Sequence, residues 1–288
     1  MQKVILFGAT GNLGKEIARE LISQGYDLTV VARNESKAGS LSDIARQYII
    51  ADVCDPGSLG HILDNQDIVI SALGKSVSPN DRSRPTFEDV DYWGNMNILN
   101  EAKKSGVKKF IYVSAFHSEN FLYLTYFKVH HEFSELLKLS GIDYSIIKPP
   151  AIFSAFIDMM EMARKGQLVN IGKGDKKTNP IYEGDLARIV VDSISLSNST
   201  IEAGGQAIYT RKQINEIVQN AVDGRRKVRS VPMGLFKVML PILKLVNKNM
   251  YDKFAFFIEV MQHDTIAPRV GKMTFEDYIK LRTERKRS

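Results

Sequence analysis

Cysteine is nearly absent: the 288 residues include one, Cys54, and one tryptophan, Trp93. A lone thiol excludes an internal disulfide and fits a reducing compartment, and Cys54 itself reads as a small buried residue. No stretch approaches the roughly 20 uninterrupted apolar residues of a membrane span. Lys3 leads directly into a short apolar run that ends in glycines, which is not a secretory leader pattern. The chain therefore reads as cytoplasmic, with no transmembrane segment. Internal repeats and low-complexity linkers are missing, and 44% apolar with 25% charged residues indicates neither disorder nor a fibrous fold. The net charge of +6 reads as scattered, with part of it in a solvated 280–288 tail (Lys280, Arg282, Arg285, Lys286, Arg287). No nucleic-acid partner is expected from such a distribution.

What is present starts at residue 4. Val4-Ile5-Leu6-Phe7 is a β-favouring run, followed by glycines at 8, 11 and 14 and then by a helical pattern. Strand, glycine-rich turn and helix in that order form the context of a dinucleotide-phosphate loop. Gly8 allows the sharp turn, Gly11 the approach of backbone N–H groups to a pyrophosphate, and Gly14 close packing of helix on strand. Thr10 completes the turn, and the helix start at Asn12 and Leu13 offers free N–H donors and a positive dipole end.

Apolar runs and helical patterns then alternate, which argues for βαβ units and a parallel sheet. Strands are expected at 3–7, 27–32, 48–53, 67–73, 108–115 and 143–148. Helices are expected at 12–24, near 41–47, and at 56–64, 87–105 and 121–139. Gly25, Gly106 and Gly141 stand just past helix ends, where a left-handed cap is wanted. The fold class is α/β, a Rossmann-type doubly wound parallel sheet with a smaller C-terminal substrate-side lobe. Residues 1–150 form the dinucleotide-binding domain. Residues 151–288 are mostly the substrate or lid lobe, with some elements returning to the core. In that lobe 166–180 reads as turns or a hairpin, and 184–196, 212–222, 233–246 and 250–261 read as helical.

At the end of the second strand, an acidic residue would accept hydrogen bonds from a free ribose 2′-hydroxyl, whereas Arg suits a 2′-phosphate. This chain has Arg33, with Lys37 beyond it. A planar guanidinium stacks on adenine and forks onto phosphate oxygens. The cofactor is therefore read as NADP in preference to NAD.

The chain resembles the atypical extended short-chain dehydrogenase/reductases, the NmrA-like branch in particular, over about its first 190 residues. The matching pieces are Gly8-Ala9-Thr10-Gly11-Asn12-Leu13-Gly14, Ala51-Asp52-Val53, Ile70-Ser71-Ala72-Leu73-Gly74 and Val90-Asp91-Tyr92-Trp93-Gly94-Asn95, followed by Gly106–Ala115, Ser140–Pro149 and Pro180–Ala187. The resemblance implies that Asp52 and Val53 border the adenine. It likewise puts Ala72, Leu73 and Gly74 beside the ribose and pyrophosphate, and Pro149 to Ile152 beside the nicotinamide.

Such enzymes typically carry Tyr-x-x-x-Lys on the helix after the fifth strand, the lysine lowering the phenol's pKa for proton exchange during hydride transfer. Counting back from Ser140-Gly141 places the pair at Tyr126 and His130, so a histidine stands where the lysine is expected. A charged His130 can lower a phenol's pKa, and a slipped alignment instead makes Lys128 the cofactor-side cation. Positions 126 and 130 share a helix face, while 126 and 128 do not. Ser114 is the candidate carbonyl-polarising hydroxyl, with Ser118 as a substitute. The adjacent His130-His131-Glu132 point about 100° apart on a helix and no further ligand is placed to join them, so no metal is expected.

Phe116, Phe121, Tyr123, Phe153, Phe156, Met159 and Met160 would line a pocket for a small, largely apolar substrate. Residues 233–261 would cover it as a lid. A membrane-surface role for that stretch is weighed against by Asp252, Glu259 and Asp264, which break a cationic face. The leading function is an NADP(H)-dependent oxidoreductase of a small apolar carbonyl, quinone or enone. The alternative is a non-catalytic NADP(H)-binding regulator or scaffold, and a sugar-nucleotide epimerase or dehydratase is a third. Oligomeric state stays open.

Overall fold

The computed structural model describes residues 1–39, 41, 43–45 and 47–284. In chain order its elements are β1 (Lys3–Phe7), α1 (Asn12–Ser23), β2 (Asp27–Ala32), α2 (Glu35–Gly39), β3 (Gln47–Ile50), β4 (Ile68–Ser71), α3 (Asn95–Lys104), β5 (Lys109–Val113), α4 (Thr125–Lys138) and β6 (Asp143–Lys148). There follow α5 (Ile157–Arg164), β7 (Val169–Ile171), β8 (Lys177–Thr178), α6 (Glu183–Asp192), β9 (Ser199–Glu202), β10 (Tyr209–Thr210), α7 (Arg211–Asp223), β11 (Arg229–Val231), α8 (Met233–Val246), α9 (Lys248–Val260) and α10 (Phe275–Glu284).

The chain divides into two units. The first comprises Met1–Lys75, Ser83–Lys148 and Leu186–Ile201; the second comprises Ser76–Arg82, Pro149–Asp185 and Glu202–Ser288.

The first unit carries a sheet in the order β3-β2-β1-β4-β5-β6-β9. Strands β1 to β6 pair in parallel, with Val4 opposite both Leu28 and Ile68, and Phe110 opposite Val69 and Tyr144. Central strands of this kind are covered on both faces, which explains why β1 and β4 read as unbroken apolar runs. Ile5, Phe7, Val69, Ile98, Phe110, Tyr112, Phe133 and Leu137 join one buried cluster. The order reverses between β1 and β4, and ligands of doubly wound sheets bind outside the strand ends at such a switch.

The second unit has its own core, in which Phe153, Met160, Tyr209, Ile214, Val218, Phe275, Tyr278 and Ile279 are buried together. Its strands form two short sheets, β10 antiparallel to β8 and β11 parallel to β7.

Several expectations are corrected here. The 166–180 segment is no hairpin, because β7 and β8 pair with β11 and β10, partners that only the later chain supplies. A short helix is found at α2 instead of 41–47; Ser42 and Arg46 of that span lie outside the described residues. The 56–64 helix contracts to a 3-10 turn at Pro56–Leu59, capped by Asp55, whose side chain accepts from Gly57 N. Lys280 and Arg282 are not in a loose tail but on α10, which is anchored by buried Phe275, Tyr278 and Ile279. Arg285, Lys286 and Arg287 lie outside the described residues. Cys54 is exposed rather than buried. Gly25, Gly106 and Gly141 do adopt positive φ, at 81°, 69° and 83°.

Candidate functional site

The glycine-rich turn follows β1 immediately. Gly8 has φ 79°, and a Cβ there would stand 2.4 Å from the Ala72 carbonyl oxygen. A Cβ on Gly14 would stand 2.1 Å from the Gly8 carbonyl oxygen, inside any real contact. The turn is thereby pressed against the segment after β4, where Ala72 N donates to Phe7 O at 3.1 Å. Gly11 caps α1 without a side-chain hydrogen bond. The first N–H groups of α1, at Asn12, Leu13 and Gly14, thus have no side-chain acceptor at the helix start. A backbone cradle at the switch point with bare helix donors fits a dinucleotide pyrophosphate.

The other cofactor-side residues are placed as follows. Arg33 directly follows β2 and is exposed, as is Lys37. Asp52 Oδ1 accepts from Cys54 N at 3.0 Å, and the residue is exposed. Val53 is buried and its carbonyl accepts from Asn97 Nδ2 at 2.9 Å. Leu73 is half-buried and Gly74 exposed after β4. Pro149 and Ile152 belong to the second unit, where Ile152 bridges Ile181. Partial burial of its sulfur, with the neighbouring Asp52 and Asp89, pushes the Cys54 thiol up to about 11, so it stays protonated near neutral pH.

Downstream of the turn, one buried polar network connects β4, β5, α4 and a π-helix at Glu88–Gly94 that opens into α3. The sequence expectation of a plain α-helix from 87 missed this wider turn, a feature often found at functional sites. Asp91, on the π-helix, is wholly buried and accepts from Lys75 N at 3.2 and 3.3 Å. Asn95 Nδ2 donates to Asp91 O at 2.9 Å, and Ser71 Oγ donates to Asn95 Oδ1 at 2.6 Å. Lys75 Nζ is held by Ser83.

His130, buried on α4, shares a 2.6 Å hydrogen bond between its Nδ1 and the Tyr112 hydroxyl. Its Nε2 lies 3.7 Å from Asp91 Oδ1 and has no hydrogen-bond partner among the described residues. Burial pushes the imidazole down to about 3 and the Asp91 carboxyl well above the usual carboxylate range. The imidazole is therefore neutral near pH 7. The Tyr126 ring sits edge-on to His130 at 4.6 Å, to Phe87 at 5.4 Å and to Phe127 at 5.2 Å. Burial and Asp91 push its phenol above the ordinary tyrosine value.

Ser114 Oγ and Ser134 Oγ are 3.0 Å apart, and Ser134 Oγ donates to His130 O at 2.7 Å. Ser118 is buried with its Oγ unpartnered among the described residues. Lys128 is exposed, 3.8 Å from Glu132. The structure thus brings Tyr126, His130 and Ser114 into one neighbourhood and leaves Lys128 outside it. Asp91, Tyr112, Asn95 and Ser134 escaped sequence reasoning. The cue for Asp91 was present in the Val90-Asp91-Tyr92 motif, a charge in an otherwise helical pattern.

Phe153 and Met160 are not pocket lining: both are buried in the second unit's core. A depression of about 470 Å³ lined by Thr29, Gln47, His61 and Gln66 lies near the amino ends of the strands, opposite the edge that binds ligands in such sheets. Among the described residues no three His, Cys, Asp or Glu side chains gather to hold a metal ion. No helix among them is long and apolar enough to cross a membrane.

Sheet order, switch point and glycine cradle define a Rossmann-type dinucleotide-binding protein. The profile of a family described as NAD(P)H-binding matches residues 8–196, and the chain belongs to that family. The photosystem II assembly factor Ycf39 of Guillardia theta is 24% identical over 260 residues, covering 88% of this chain and 81% of that one. The mitochondrial NADH-ubiquinone oxidoreductase 40 kDa subunit of Neurospora crassa is 24% identical, covering 94% and 73%. Among solved structures, the NADPH-dependent quinone oxidoreductase QOR2 of Escherichia coli in complex with NADPH aligns at TM-score 0.72 with 19% identity, covering 96% and 99%.

Proposed function

We propose that this chain is an NADP(H)-dependent reductase of small, largely apolar acceptors, and that quinones and enones suit it better than simple carbonyls. The observation that carries this reading is the neutral, aromatic surrounding of Tyr126, in which a buried uncharged His130 stands where a lysine is expected. A simple ketone leaves a strongly basic alkoxide after reduction and needs a poised acid. A quinone leaves a stabilised hydroquinone anion, which needs only a hydrogen bond until solvent supplies the proton. When bound, the reduced nicotinamide supplies the hydride. Tyr126, kept protonated by burial, donates the hydrogen bond to the acceptor oxygen as charge gathers there. Ser114 and His130 serve as positioning residues that hold α4 against β5 through Ser134 and Tyr112. Gly8, Thr10, Gly11, Asn12, Leu13 and Gly14 bind the pyrophosphate, and Arg33 meets the 2′-phosphate.

The test is NADPH oxidation with small quinones, enones and aldehydes. Turnover is expected with the first two classes, and Tyr126→Phe is expected to lower kcat by about tenfold or more, since one electrostatic donor typically contributes that much or more. Unchanged kcat in that variant on every accepted substrate would overturn the role of Tyr126.

A second reading, a non-catalytic NADP(H)-binding regulator or subunit, draws on the same missing charge and on the names of two relatives, an assembly factor and a respiratory-complex subunit. Micromolar NADPH binding with no turnover on the whole panel would favour it.

A further inference from the structure

Helix α8 has no fully buried residue, although its sequence is almost entirely apolar. Met233, Phe236, Leu240 and Leu243 recur at helical spacing and are half-buried, forming the side turned to the protein. Leu235, Val238, Met239, Ile242, Leu245 and Val246 are exposed, Leu245 at 89% and Val246 at 79%. At 3.6 residues per turn these six fall within an arc of about 120°, with Lys237 and Lys244 together beyond one margin. Six large aliphatic side chains side by side form a contiguous patch, unlike the scattered ones ordinary on protein surfaces.

Charge selects the occupant. Residues 224–251 carry Arg225, Arg226, Lys227, Arg229, Lys237, Lys244 and Lys248 and contain no Asp or Glu. The other 260 residues carry 32 Lys and Arg against 33 Asp and Glu, so the positive excess is concentrated here and not scattered. Arg225, Lys227 and Arg229 are exposed, and Arg226 meets Asp223 at 3.2 Å. The acidic residues expected to break a cationic face are engaged elsewhere. Asp252 is buried, Glu259 pairs with His263 at 2.8 Å, and Asp264 accepts from Lys177 N at 2.8 Å. A second copy of this face would set like charges against each other, whereas an anionic lipid surface complements them.

We propose that α8 and the 225–229 segment dock the protein on the surface of an anionic bilayer. The helix lies in the headgroup plane, with Leu245, Val246, Ile242 and Val238 at the acyl boundary and the cations among the phosphates. At 14 residues α8 is about 21 Å long along its axis, too short to span a bilayer.

The test uses the full chain with phosphatidylglycerol–phosphatidylcholine vesicles, and with phosphatidylcholine vesicles alone, in a flotation assay. Binding to the anionic vesicles is expected, at least tenfold weaker on the neutral ones and in about 0.5 M salt. The double variant Leu245→Asp with Val246→Asp, and separately Arg225→Gln with Lys227→Gln and Arg229→Gln, should each weaken anionic-vesicle binding by about tenfold or more. Both should retain NADPH binding, which reports that the fold is intact. Absence of binding to anionic vesicles, or binding indifferent to both variants, would overturn the proposal. So would a homodimer that the Leu245/Val246 variant converts to monomers, since the face would then belong to a second copy.

Discussion

His130→Gln isolates the energetic cost of the buried imidazole. The folded-state pKa of about 3 lies far below the ordinary value of 6.5. Between those two values the unfolded chain holds a proton that the folded chain refuses, so stability falls as pH drops through 6.5 and is complete only above about 7. From pH 7.5 to 5.0 the linkage relation gives a loss of about 2 kcal/mol from this residue alone. Asp91 acts with the opposite sign: its raised carboxyl keeps a proton in the folded state above the pH at which the unfolded chain releases it, so it favours folding as pH falls in that window. The wild-type profile is therefore flattened, and a single curve would mislead. The difference between wild type and His130→Gln, which keeps Asp91, removes that compensation. Urea unfolding at pH 7.5 and 5.0 can be followed through Trp93, the chain's single tryptophan, which lies on the π-helix of this unit. Wild type should lose about 2 kcal/mol more than the variant between the two conditions. Equal losses, or an imidazole resonance of His130 titrating near its ordinary value in the folded protein, would refute the reasoning.

Gly14→Ala forces a Cβ to within 2.1 Å of the Gly8 carbonyl oxygen, so the turn must open; weaker NADPH binding by about tenfold or more and a lower melting temperature are expected by fluorescence titration and calorimetry. Arg33→Gln removes the 2′-phosphate partner and should weaken NADPH by about tenfold to a hundredfold while changing NADH affinity by less than about threefold. Phe275 is wholly buried, with the Phe153 and Phe156 rings at 5.2 and 5.4 Å. Phe275→Ala should therefore cost about 3–5 kcal/mol, seen by hydrogen exchange in the second unit.

The cofactor half was readable from sequence because its determinants are local. A strand, a glycine-rich turn and a helix start lie within residues 3–23, and backbone geometry there is dictated by which positions lack a side chain. The buried polar network was not, because Asp91, Tyr112 and His130 come from three separate elements and acquire their chemistry through burial, which spacing does not display. Tyr126 and His130 were found by counting along one helix face, but the neutrality of His130 follows from its surroundings. In the later chain, β7 and β8 looked like a hairpin since local pattern cannot reveal that partners come from residues 209–231. Helix α8 was read as part of a lid because its apolar composition calls for burial; only its position leaves one face bare.

The chain crosses between the two units at residues 75, 82, 148, 185 and 201. On a ribosome, synthesis runs from the N-terminus, and domains of simple order can fold in turn as they emerge. Here the nucleotide-binding sheet lacks its outermost strand, β9, until residue 202 has been made, after the Pro149–Asp185 segment that belongs to the other unit. That segment in turn waits for α7, β11 and α10 before its own core can close. Neither half can be excised by a single cut near residue 150 without taking structure from the other. Maturation of the two is bound into one event, which waits for α10 to emerge.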